Sequence, residues 1–129
     1  MYLGLDFGLR KIGLAFSEGI TASPLAVISN APSRMQQIKE KVTGEITTIV
    51  IGIPSSIFKE QVQALAEECK QTFNCEIVFQ DESYSSKEAL TTMIQSGISK
   101  KKRELDDAHA AAIILQLYLD KINEKHNNK

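Results

Sequence analysis

The chain opens on alternation. Leu3 and Leu5 alternate ahead of Asp6, and Ile12, Leu14 and Phe16 alternate with small or polar neighbours, the pattern of half-buried strands. Only Phe7-Gly8-Leu9-Arg10 separates the two runs, which predicts an antiparallel hairpin with Gly8 allowing a tight turn. Residues 24–29 (PLAVIS) read as a third strand and complete a meander. The period then changes: Met35, Ile38 and Val42 recur at helical spacing behind the cap region Pro32-Ser33. Residues 46–53 (ITTIVIGI) are almost wholly apolar and β-branched, the signature of a strand covered on both faces in a parallel sheet.

Helical spacing returns with Val62, Leu65, Ala66, Cys69 and Phe73, and residues 75–79 (CEIVF) predict a further short strand. Ser85 with Glu88 forms a capping-box pattern leading into Ala89, Leu90, Met93 and Ile94, and Gly97 stops that helix. The basic run Lys100, Lys101, Lys102 and Arg103 reads as a solvated loop. A long helix follows from about Glu104, with Leu105, Ala108, Ala112, Leu115, Leu119 and Ile122 at steps of three and four. The pattern predicts one mixed α/β domain over residues 1–123, in the order β-β-β-α-β-α-β-α-α, and a polar tail at 124–129.

Composition narrows the function classes. At 129 residues, with 43% hydrophobic and 24% charged side chains, the chain fits one globular domain. Cys69 and Cys75 are its two cysteines, too few for a disulfide framework or a four-cysteine zinc site; both read as small core residues. No apolar run approaches the ~18 residues of a membrane span, so a cytoplasmic domain without a membrane partner is expected. The formal net charge of −1 lacks the global basic footprint of a strong non-specific nucleic-acid binder. A nuclease needs only a local groove and a cluster of acids.

The acids sit where such a cluster would form. Asp6 ends the first strand, Asp81 and Glu82 follow the last, and Asp106 and Asp107 open the final helix. Sites in open α/β sheets lie beyond the carboxyl ends of strands, although an acid in a first helical turn also complements the helix dipole. Carboxylates that converge repel one another unless a cation sits among them, and an oxygen-only donor set suits Mg²⁺ or Mn²⁺. Asp106 and Asp107 diverge by about 100° around the helix, so only one can face inward. Asp107 shares its face with Ala110, Ala111 and Ile114, which favours it; Asp106 is the alternative. His109, about 200° from Asp107, projects elsewhere and is a weak candidate base.

These residues carry a family resemblance. Gly4-Leu5-Asp6-Phe7-Gly8-Leu9-Arg10-Lys11-Ile12-Gly13-Leu14-Ala15 resembles the opening motif of the YqgF/RuvX family of bacterial RNase H-like proteins. Thr21-Ala22-Ser23-Pro24-Leu25, Val50-Ile51-Gly52-Ile53-Pro54, Asp81-Glu82 with Ser85-Ser86, and the run from Asp107 to Gln116 match later family segments in order, over residues 1–120. The resemblance implies an RNase H-like α/β fold with a five-stranded mixed sheet, the first three strands antiparallel and the later two parallel to the first. It implies a metal-dependent nuclease whose catalytic and metal-binding acids are Asp6, Glu82 and Asp107, with Mg²⁺ or Mn²⁺ as cofactor. Its implied role is 5′-end processing of pre-16S rRNA in ribosome biogenesis, and the older family assignment is resolution of Holliday junctions in branched DNA. Two departures bear on substrate grip: residues 55–59 run at once from Pro54 into a helix, and Ser83 stands where the family carries arginine.

Arg10 and Lys11, beside Asp6, and Lys100, Lys101, Lys102 and Arg103, just ahead of Asp107, are the candidate phosphate contacts, and their grip would be salt-sensitive. With 6% aromatics and no tryptophan, extensive base stacking is not expected. Two rival readings remain. The Asp-x-Gly opening also begins the ATPase domains of sugar kinases and actin relatives, but those enzymes close two such domains on a nucleotide and this chain supplies one. A non-catalytic module that binds RNA or a ribosome-assembly partner fits the two departures, and the retained acids oppose it. Oligomeric state is open: a resolvase wants a two-fold dimer, whereas rRNA trimming needs only a monomer.

Overall fold

The alternating runs of the first third form the strands they predict. The computed structural model describes residues 1–53, 58–81 and 100–127. Strands β1 (Tyr2–Phe7), β2 (Lys11–Ser17) and β3 (Ser23–Ser29) make an antiparallel meander. Helix α1 (Arg34–Lys41), β4 (Thr48–Ile53), α2 (Lys59–Phe73), β5 (Glu76–Asp81) and α3 (Lys100–Asn127) follow. The strand order is β3-β2-β1-β4-β5, with β4 parallel to β1 and β5 parallel to β4. This is the expected five-stranded mixed sheet of an RNase H-like α/β fold, with β1 at its centre.

Strand parity divides the core into two layers. Leu3, Leu5 and Phe7 of β1 join Ile12, Leu14, Ile49 and Ile51 on the face covered by α1 and α2, against Ile38, Val62, Leu65 and Cys69. The opposite face is built from small residues. Gly4, Gly13, Ala15 and Ser17 are buried there, and α3 brings Ala111, Ala112, Ile114, Leu115 and Leu119 onto Ala15 and Val50. Small residues on both sides let a helix lie close. A Cβ on Gly4 would stand 2.8 Å from Leu115 Cβ and 2.9 Å from the Ala111 carbonyl oxygen. Gln116 pins the β2–β3 loop to α3: its Oε1 accepts from the Ala22 N–H and its Nε2 donates to the Ile20 carbonyl, both at 2.9 Å.

Several boundaries differ from expectation. The strand expected at residues 46–53 starts at Thr48, because the Thr47 N–H is taken by the Met1 carbonyl at 2.9 Å. The strand expected at 75–79 spans Glu76–Asp81, since Asn74 adopts a left-handed φ of 50° to end α2 and its N–H donates to the Lys70 carbonyl at 2.9 Å. Helix α3 starts at Lys100, so the basic run expected as a loop is helical in its backbone; lysine and arginine are good helix formers. The same helix runs to Asn127, into the segment expected as a tail. The helix expected from Ser85 to Gly97 lies outside the described residues. No helix among the described residues is long and apolar enough to cross a membrane.

Candidate active site

Asp6 is the penultimate residue of the central strand and is half-buried. Its parity is that of Gly4, so it stands on the face that carries α3. In register beside it are Gly13 of β2 and Gly52 of β4. Beyond them lie Val27 of β3 and Gln80 of β5. Residues in register share a face, about 4.8 Å apart from strand to strand. The Asp6 carboxylate therefore rises between two positions that have no side chain. Gln80, 7% exposed, stands on the far side of Gly52.

The packing of α3 sets what lies over this row. The rings of Tyr2 and Tyr118 are 6.1 Å apart, and Gly4 lies beneath Ala111 and Leu115. Advancing along β1 thus means going back along α3. Two strand residues cover about 6.6 Å and one helical turn about 5.4 Å, so the step from Gly4 to Asp6 leads to the turn at residues 107–108. Position 107 is one turn ahead of Ala111 and two ahead of Ile114, both buried, whereas position 106 precedes the half-buried Ala110 and Ile113. Ala108, in the same turn, is 2% exposed.

Asp81 ends β5 in register with Ile53; Glu82, Ser83 and residues 54–57 lie outside the described residues, as do the side chains of Asp81, Asp107, Lys100, Lys101, Lys102 and Arg103. Among the described residues, no group of three His, Cys, Asp or Glu side chains is placed to hold a metal ion. Arg10 and Lys11 are exposed at the β1–β2 turn. That turn requires Gly8 for space, since a Cβ there would stand 2.5 Å from the Lys11 carbonyl oxygen. His109 is exposed, away from the sheet. Both cysteines are free; Cys69 is buried in the core and Cys75 half-buried against it.

Nothing in the sequence alone marks the glycine flanks of Asp6 or the buried Gln80 as part of the site. Which residues share a row depends on strand order and register, and neither can be read within a single segment.

Comparison with known proteins places this arrangement in a family. The family model described as "RuvX: Holliday junction resolvase" matches residues 1–121. A protein of Sulfurihydrogenibium sp. is 37% identical over 94% of this chain and 90% of its own length. One of Dehalococcoides mccartyi is 38% identical over 90% of this chain and 95% of its own, and one of Halalkalibacterium halodurans is 35% identical over 92% and 95%. All three relatives carry the name "Putative pre-16S rRNA nuclease". With a match that begins at Met1, runs through both layers of the sheet and takes in Asp6, Glu82 and Asp107 alike, the chain belongs to the RuvX family.

Proposed function

We propose that this chain is a metal-dependent nuclease in which Asp6, Glu82 and Asp107 together hold one or two Mg²⁺ or Mn²⁺ ions and position the attacking water. The observation that carries the reading is the row Gly13–Asp6–Gly52 at the carboxyl end of the central strand. A half-buried carboxylate with bare backbone on either side fits a hydrated divalent ion, because Mg²⁺ keeps several of its waters and needs space for them. The oxygen-only donor set agrees with the same ions. The chemistry that such an ion supplies when bound is activation of water and neutralisation of charge on the leaving oxygen of a phosphodiester.

The chain's own residues do the rest. Asp6 is held at a fixed height by strand pairing on both sides. Gly8 lets the turn close immediately beyond it. Arg10 and Lys11, with Lys100, Lys101, Lys102 and Arg103 in the first turn of α3, grip phosphates at the rim. With a net charge of −1 for the whole chain, that grip is local and weakens as salt rises.

The substrate we infer is structured RNA at the 5′ end of pre-16S rRNA, which the names of the relatives support. The description of the family supports a second reading, a four-way DNA junction. The deciding experiment offers both as labelled substrates with Mg²⁺, Mn²⁺ or EDTA, beside an Asp6→Asn control. Metal-dependent cutting that the variant lacks establishes the nuclease, and the substrate that is cut assigns the class. A folded wild-type protein that binds RNA and cuts neither would overturn the catalytic reading in favour of an assembly module.

A further inference from the structure

The turn between β1 and β2 is held from outside by Asn30. Asn30, just past the end of β3, donates from Nδ2 to the Gly8 carbonyl at 2.8 Å, and its backbone N–H donates to the Arg10 carbonyl at 2.9 Å. Asn30 is held in its turn. Its Oδ1 accepts from Arg34 Nη1 at 2.8 Å. The Arg34 guanidinium forks onto both carboxylate oxygens of Glu68 in α2, Nε to Oε1 at 3.1 Å and Nη2 to Oε2. A side-chain relay therefore runs from α2 through α1 to the Gly8 carbonyl, and the Asn30 backbone takes the Arg10 carbonyl on the other side of Leu9.

The chemistry of the relay selects asparagine. The Gly8 carbonyl only accepts and the guanidinium only donates, so the residue between them must donate at one end and accept at the other. Among side chains of this length, an amide does both; an aspartate would set a carboxylate oxygen against the Gly8 carbonyl. The fork at Glu68 fixes the guanidinium plane as well as its position, and the Arg34 side chain, 13% exposed, is largely shielded from competing water. What the relay fixes is the turn that carries Arg10 and Lys11 into solvent. Ordering a flexible segment on binding costs affinity, and a segment already ordered avoids that cost.

We propose that Asn30 is a positioning residue for nucleic-acid binding, setting the place from which Arg10 meets phosphate, with Arg34 and Glu68 setting the place of Asn30. The inference rests on the nuclease reading for the contact between Arg10 and phosphate.

The test is a double-mutant cycle on the full chain, read as the Kd for a labelled 5′-extended rRNA fragment in EDTA, where cutting is suppressed. Asn30→Ala and Arg10→Gln are each expected to weaken binding about threefold to tenfold, and the double variant to bind no more weakly than Arg10→Gln alone, as coupled positions do. Losses that multiply in the double variant, or a folded Asn30→Ala that binds like wild type, overturn the proposal. Thermal melts accompany each measurement. Should Asn30→Ala not fold, Arg34→Lys replaces it in the same cycle: it keeps the charge and loses the fork, so weakened binding that disappears in the Arg10→Gln background supports the relay, and any other pattern overturns it. Wild-type protein that binds no RNA overturns the RNA-substrate reading and this inference with it. Wild-type binding with independent losses overturns this inference alone.

Discussion

Gly4 of β1 and Leu115 of α3 are in contact with no room between them: a Cβ on Gly4 would lie 2.8 Å from Leu115 Cβ and 2.9 Å from the Ala111 carbonyl oxygen. Neither contact can turn aside: the Leu115 Cβ is fixed by its own backbone and the carbonyl is part of the helix, so both move only with the helix. Gly4→Ala is therefore expected to push α3 off the sheet and to cost about 1–3 kcal/mol, as overpacking of a filled core does. Urea unfolding measures this. The same displacement would separate Asp6 from the turn at residues 107–108, so nuclease activity should fall by more than the fraction unfolded explains. A variant with an unchanged midpoint would mean that α3 rides further out than the geometry here has it.

Much of this arrangement is legible in the sequence, and the rest is not, for physical reasons. Leu3, Leu5 and Phe7 announce a strand because alternation is a local consequence of the pleat, and Asp6 stands out as the acid that ends it. The start of α3 is hidden. Helix boundaries are read from apolar spacing, which begins only at Leu105, whereas Lys100 to Arg103 form good helical backbone with no apolar signal. The glycines beside Asp6 and the relay through Asn30 are hidden more deeply. The bond from Asn30 to Gly8 spans 22 residues and that from Arg34 to Glu68 spans 34, so only the folded chain brings those polar side chains together.

Gln116 gives a prediction of a different kind. It accepts from the Ala22 N–H and donates to the Ile20 carbonyl and to Asp120 Oδ1, each at 2.9 Å. Gln116→Leu keeps the volume and strips the partly buried Ala22 N–H of its partner, while water can replace the bond to the exposed Ile20 carbonyl. The expected cost is about 1–3 kcal/mol, accompanied by faster hydrogen exchange at the Ala22 amide. Exchange unchanged at Ala22 would show that water replaces the glutamine without loss.

The two thiols should behave differently. Burial pushes the Cys69 thiol up to about 12, with Cys75 nearby adding to the shift, and burial raises the half-buried Cys75 as well. In native protein at pH 8, a thiol reagent should modify Cys75 slowly and leave Cys69 untouched, and denaturant should expose both. Stability should carry the same signature. The unfolded Cys69 thiol ionises from about pH 9 while the folded one keeps its proton to about 12. Across that window the unfolded chain binds fewer protons, so stability falls as pH rises, by up to about 1.4 kcal/mol per pH unit. Cys69→Val removes this contribution, and its stability should decline less steeply above pH 9 than that of wild type. Equal slopes in the two proteins would place the Cys69 thiol in contact with water.

Asp6 offers the sharpest test, because the proposed site makes opposite demands on it with and without metal. Carboxylates gathered for a cation repel one another when the cation is removed. In EDTA, Asp6→Asn takes one charge from the proposed cluster while keeping the shape of the side chain, and its melting temperature should equal or exceed that of wild type. Adding Mg²⁺ or Mn²⁺ should reverse the order. A ligand that binds only the folded state stabilises it by about 1.4 kcal/mol for each tenfold excess over its Kd, a gain open to wild type and closed to a variant that has lost a ligand. Melting curves of both proteins across a metal titration therefore separate two roles that activity alone would merge. If Asp6→Asn melts well below wild type in EDTA and both proteins respond equally to metal, Asp6 is a structural acid at the end of β1, and the metal, if one binds, is held elsewhere.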